Sequence, residues 1–254
     1  MGNEIVTSQD VEEPSLVLIM AVPLPADADD ENITKVVGAD YYEIQFEGRS
    51  AELAAEFAER GIDVQDHGKL AYIISPSFPQ ASAIENCILM AKAVMRLFQL
   101  GGLAVKCESS NTAHTPQSFQ RLAELIVEPA SNEEFVYALL FAYVACVIED
   151  DKDYFSAGMH LLGYPDAIMD KRMAQQRFSG MEEMMELFRT FGAYMLLGPD
   201  PHRFNSGNTF SLGEDAPAFR QEWEPCHNYR PDGIIFNPFG RFRLESPVPS
   251  EATR

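Results

Sequence analysis

Positive charge is the scarcest property of this chain of 254 residues: 19 lysines and arginines stand against 39 acids, a formal net charge of -20. A surface so short of bases repels phosphate backbones and anionic lipid, so neither nucleic acid nor a membrane surface is an expected partner. Long apolar runs are also lacking. None approaches the roughly 20 residues needed to span a bilayer, and Met1-Gly2-Asn3-Glu4 has no basic region ahead of an apolar one. The expectation is a soluble cytoplasmic protein. Gly2 is followed by Val6 where a myristoylation pattern needs Ser or Thr. The four cysteines, Cys87, Cys107, Cys146 and Cys226, are widely spaced, and three lie in apolar surroundings. They read as small buried hydrophobes in a reducing compartment, without a disulfide framework. Gly-x-x-x-x-Gly-Lys-Ser/Thr, Gly-x-Gly-x-x-Gly and Gly-x-Ser-x-Gly are absent, which removes the common nucleotide-binding and serine-hydrolase designs.

What is present is a core. Leu70 to Ser75 is a short apolar, β-branched and aromatic run between His67-Gly68 and Pro76, the pattern of a buried strand. Ile84, Cys87, Ile88, Ala91, Met95 and Phe98 then recur at helical spacing, with Glu85, Lys92, Arg96 and Gln99 on the opposite face. Gly101-Gly102 stops that helix, and Leu103-Ala104-Val105 resumes an extended run.

Around this core the signals alternate. Leu16 to Val22 reads as a central strand ended by Pro23 and Pro25. The acids of Asp27 to Glu31 form a solvated loop rather than a cation site. Asn32 to Val37 suggests a short helix, and Tyr41 to Phe46 alternates like a strand with one wet face. Ser50 caps a helix over Ala51 to Arg60 that Gly61 stops, with Leu53, Ala54 and Phe57 inward. Thr115-Pro116 starts another, which buries Phe119, Leu122, Ala123 and Ile126 and ends near Glu128-Pro129. Phe135 to Ile148 is apolar for most of its length and fits either a long strand or a buried helix, between which periodicity does not decide; its Val, Tyr, Phe and Ile content favours the strand. Glu149 to Asp153 is a charged turn. Ser179-Gly180-Met181-Glu182 reads as a capping box, opening a helix toward Gly198 that buries Met184, Met185, Phe188, Phe191 and Met195. Beyond Pro199, Phe210, Trp223, Ile234-Ile235-Phe236 and Phe242 mark short segments split by Gly and Pro.

Several residues invite a chemical reading. His67, in an Asp-His-Gly turn, reads as a turn residue rather than an acid or base. Cys226-His227 offers two metal donors with no second pair to complete four ligands, so no metal site is expected. Cys107 and His114 could pair as nucleophile and base, although Cys107 at the end of an apolar strand looks structural. Ser206-Gly207-Asn208-Thr209 has the make-up of a small anion-binding turn and equally of a polar turn entering Phe210. No cofactor and no catalytic residue is assigned.

The order of these pieces resembles the uncharacterised bacterial family called domain of unknown function 4261. The likeness rests on Leu70 to Ser75, the helix to Leu100 with Gly102 to Val105, Gly158-Met159-His160-Leu161-Leu162-Gly163-Tyr164-Pro165-Asp166, and Gly207-Asn208-Thr209. It spans most of Leu16 to Leu244. The family tends to show Gly-Met, then Gly-x-x-Glu or Gly-x-x-Asp, then Gly-Asp-Thr, and this chain has Asn208 at the last acid. The resemblance implies an α+β fold and supplies no established activity.

The expectation is therefore an α+β protein, a mixed sheet packed by several helices in a single compact unit. Residues 1–14 are a mobile acidic N-terminus, 15–245 one domain with a possible sub-boundary near 128–134, and 246–254 a frayed tail. The first functional expectation is a non-enzymatic binding protein whose acidic surface holds a basic protein partner, plausibly an immunity protein that neutralises an antibacterial toxin. The alternative is a small-molecule enzyme or sensor whose site gathers Gly158, Met159, Asp166, Gly207, Asn208 and Thr209. A third, a purely structural subunit, is favoured if the Met184 to Met195 face is exposed in the monomer.

Overall fold

Val17–Val22 forms β1, six residues of which five are buried, as a continuous apolar run must be when a sheet covers it on both sides. In the computed structural model, which describes residues 13–25, 34, 41–198, 205–214, 216–227, 229–231, 233 and 235–246, this strand is the middle of a five-stranded sheet ordered β2-β3-β1-β4-β5. The others are β2 (Glu43–Gly48), β3 (Lys69–Ile74), β4 (Ala104–Cys107) and β5 (Ala113–His114). All neighbours run antiparallel, with Ile19 opposite Tyr72 on one side and Lys106 on the other.

Strand alternation divides the side chains between two faces. Ile19, Ala21, Leu70 and Ala104 meet Leu53 and Phe57 of α1 (Ala51–Ala58) on one. Leu18, Met20, Ile73 and Val105 point the other way and are buried with α2 (Ala83–Gln99), α3 (Pro116–Val127) and α4 (Asn132–Tyr143). The expected caps are made. Ser50 accepts from Leu53 N-H and Thr115 from Ser118 N-H. Gly101, at φ 96°, lets its own N-H reach Phe98 O and that of Gly102 reach Leu97 O, the paired bonds that close a helix end.

Phe135 to Ile148 is a correction. It is not one strand but the helix α4 followed by β6 (Ala145–Glu149). From Phe135 to Tyr143 the helix is apolar on its outer side as well, at exposed Phe141 and half-buried Phe135 and Tyr137, so no wet stripe reveals its period. Its start was legible all the same: Ser131-Asn132-Glu133-Glu134 is a Ser-x-x-Glu helix opening, and Ser131 Oγ accepts from Glu134 N-H at 3.2 Å.

The second sheet is mixed, ordered β6-β7-β8-β11-β10-β9. It adds β7 (Asp153–Ala157), β8 (Asp166–Asp170), β9 (Thr209–Phe210), β10 (Phe219–Glu224) and β11 (Arg241–Glu245). Only β8 and β11 pair in parallel, among antiparallel neighbours. Asp150 Oδ1 accepts from Lys152 and Asp153 N-H, forming the charged turn between β6 and β7. Between β8 and β9 the chain forms α5 (Lys171–Arg177) and α6 (Met181–Leu197). Phe191 of α6 packs its ring against Phe210 and Phe242, and Phe178 stacks on Phe219. Met184, Phe188, Phe191 and Met195 are buried and Met185 half-buried, so this stripe is core and the structural-subunit condition is not met. The cap of α6 is displaced by one residue from the expected box: Gly180 is the cap, and Glu183, not Glu182, accepts from Ser179 N-H and Oγ-H. Ile235 and Phe236 lie in turns rather than a strand. Apart from Thr34, the expected Asn32 to Val37 helix lies outside the described residues, as do Asp27 to Glu31, residues 1–12 and the tail from residue 247.

The class is α+β, with six helices and two sheets among the described residues. Contacts gather the chain into two compact units, one over Glu13–Tyr143 and the other from Val144 onward.

Candidate functional site

The Gly158 to Asp166 stretch builds a buried polar knot. Gly158 (φ 107°) and Gly163 (φ 84°) bracket a single 3-10 turn over Met159–Leu162, turning the chain sharply between β7 and β8. The turn aims Met159 N-H back at Asp166, which is 1% exposed. Asp166 Oδ1 accepts from that N-H at 3.2 Å and from Ser156 Oγ-H at 3.0 Å, and Oδ2 accepts from Asn237 Nδ2 at 2.7 Å. Ser156 Oγ in turn accepts from Ala167 N-H at 2.9 Å, which leaves its proton for Asp166. Asn237 also donates to Tyr164 O and accepts from Phe239 N-H. All of these groups donate toward the carboxylate, so the network is satisfied by the ionised acid.

Arg241 supplies the nearby positive charge. It is the register partner of Asp166 across the parallel β8-β11 pair, and its guanidinium lies between the rings of Phe155 and Tyr229, 4.8 and 5.1 Å from their centroids. Burial pushes the Asp166 carboxyl up to about 6, against the opposing pull of Asn237, Arg241, Met159 N-H and Ser156. His160, in the same turn, has its imidazole pushed down to about 4 by burial, and its Nδ1 meets no partner. Two residues further along β11, Arg243 clasps Glu224 with two bonds of 2.9 Å and reaches Asp153 at 2.9 Å.

Gly207, Asn208 and Thr209 are elsewhere. They form an exposed turn into β9, held by Gly207 N-H to Gln221 O and Gln221 N-H to Asn208 O. In the sheet order β11 and β10 lie between Asp166 on β8 and Thr209 on β9, a separation of roughly 14 Å at three strand spacings. Gly158, Met159 and Asp166 are thus brought together, and Gly207, Asn208 and Thr209 are not brought to them.

The other candidates take structural positions. His67 is 2% exposed; its Nδ1 bonds Val64 O at 2.7 Å while Nε2 accepts from Ser50 N-H at 3.1 Å, so the ring ties the turn to the start of α1. His114 Nε2 lies 3.3 Å from Ala142 O in the last turn of α4, and burial lowers its basicity. Burial raises the Cys107 thiol, which disfavours the thiolate a nucleophile needs. Cys226 is buried, and no group of three or more potential metal donors occurs among the described residues. The sequence reading missed Ser156, Asn237 and Arg241. Asn237-Pro238-Phe239-Gly240 carries a turn signal and Arg241 to Leu244 alternates like a strand, but neither pattern reveals that Asn237 and Arg241 meet Asp166.

None of these groups lines either of two surface hollows. One, outside α1, is lined by Arg49, Ala54, Ala58 and Gln65; the other, between α2 and α3, by Lys92, Met95, Arg96, Glu124 and Val127. No helix among the described residues is long and apolar enough to cross a membrane. No family model, curated protein or solved structure matches the chain.

Proposed function

We propose that this is a cytoplasmic, non-enzymatic binding protein whose acidic surface holds a basic protein partner, in the manner of an immunity protein that neutralises an antibacterial toxin. The observation that carries the reading is the placement of acid along residues 41–66. Glu43, Glu47, Glu52, Glu56, Glu59, Asp63 and Asp66 stand there against Arg49 and Arg60, and all of these acids except half-buried Glu56 are exposed. A surface of one sign raises the encounter rate with an oppositely charged protein, and salt removes the advantage. The small-molecule alternative loses its centre, since the Asp166 oxygens are occupied by protein donors and Thr209 is three strands away.

The test is affinity capture of the tagged protein from its own cells at low and high salt, with mass spectrometry of what is retained. The expected result is a stoichiometric basic protein held at low salt and released at high salt. Retention that ignores salt, or a partner that is not basic, would sink the reading.

A further inference from the structure

The strand β2 is the outermost of its sheet. Among the described residues it pairs with β3 on one side and with no strand on the other. In an antiparallel ladder every second residue turns its N-H and C=O away from the neighbour, so the outer edge of Glu43–Gly48 offers a row of backbone donors and acceptors about 20 Å long. Its side chains sort by face. Glu43, Gln45 and Glu47 are exposed on one, while Ile44 and Phe46 are half-buried on the other. Lys69 stands on the Phe46 side, its ammonium 5.9 Å from the ring centroid. A base on an added strand would meet two carboxylates on the first face, and an apolar residue would meet Ile44 and Phe46 on the second.

We propose that the outer edge of β2 takes up an extended basic segment of the partner protein as an added strand. Lysine or arginine then stands at alternate positions beside Glu43 and Glu47, with apolar residues between them against Ile44 and Phe46. The proposal rests on the basic-partner reading above and names where that partner docks. Backbone bonds supply affinity in this mode, and the alternating side chains supply selectivity. Charged residues on an edge strand also guard against aggregation; that role alone predicts no binding of the peptides below.

The probes are short synthetic peptides alternating lysine with valine. Two N-methylated forms carry the methyl on every lysine or on every valine, and a control alternates glutamate with valine. Each is titrated into the isotope-labelled full chain, with amide shifts read along Glu43–Gly48. The lysine peptide is expected to bind with shifts centred there, and the glutamate peptide to leave them unmoved. One N-methylated form, whose methyls face β2, should bind about tenfold more weakly or worse, as the loss of one or two net hydrogen bonds requires. An E43K/E47K chain with unchanged thermal midpoint should lose binding to a similar extent. If both methylated forms bind as tightly as the parent, or if the shifts fall elsewhere, the edge is not the dock; salt-sensitive capture of a basic protein would then keep the broader reading. No binding by the lysine peptide likewise overturns the edge proposal, whereas salt-insensitive capture overturns the broader one.

Discussion

The two sheets put carboxylates to opposite uses. In the antiparallel sheet Glu43 and Glu47 are exposed on the edge strand β2, where Glu43 accepts from Gln45 and Glu47 meets the Tyr72 hydroxyl. In the mixed sheet Asp166 is enclosed, with donors from β7, the 3-10 turn and the Asn237 loop. An exposed acid costs nothing to solvate and remains available to a partner. A buried acid must be met by donors from its own chain, and once met it is no longer available. Residues of one type therefore differ in function by burial alone.

The largest test of this contrast is Asp166→Ala. It orphans Ser156, Asn237 and Met159 N-H and leaves Arg241 without its carboxylate neighbour. The expected loss is about 3 kcal/mol, from leaving buried donors unsatisfied, read as a lower urea midpoint. A loss near zero would mean that Asp166 is not structural and would reopen the small-molecule reading.

Acidity sharpens the same point. The folded Asp166 carboxyl, at about 6, holds its proton above the ordinary 3.8, so its contribution to stability falls as pH rises between those values. For His160, at about 4 against an ordinary 6.5, the folded chain binds fewer protons and its contribution rises with pH across that window. The two oppose one another in the native protein. Relative to it, Asp166→Asn should gain stability as pH climbs from about 4 to about 6, and His160→Leu should lose stability over about 4 to 6.5. Urea titrations at a series of pH values read both, and equal slopes in all three proteins would contradict the assignment.

Within the antiparallel unit, Tyr143 donates to Cys87 O at 2.8 Å and joins α4 to α2. Tyr143→Phe removes that buried bond, an expected cost of about 1 kcal/mol in the same assay. The smallest effect belongs to the edge. Glu43→Lys with Glu47→Lys should change stability by no more than about 0.5 kcal/mol, as exposed substitutions do, while slowing association with a basic partner at low salt in stopped-flow mixing. A large stability loss there would erase the contrast between the sheets.

Much of the antiparallel unit was legible because its signals are local. Ser50, Thr115 and the Gly101-Gly102 stop each report a helix end within a few residues, and the apolar run of β1 announces burial on both faces. The α4 segment misled because it stays apolar even at exposed Phe141 and half-buried Phe135 and Tyr137, which hides the periodicity that separates helix from strand; its opening at Ser131 was the better guide. At the candidate site Gly158, Met159 and Asp166 were visible as one motif. Asn237 and Arg241 were not, since they reach Asp166 from more than seventy positions away through the β8-β11 pairing.

By itself the sequence determined the charge, the α+β class, most helix ends and the absence of common catalytic motifs, all properties of composition or of neighbours along the chain. Only the tertiary structure decided which acids are enclosed and which face water, because burial depends on what distant strands bring alongside. That decision makes Asp166 part of the core and leaves Glu43 and Glu47 at an open edge.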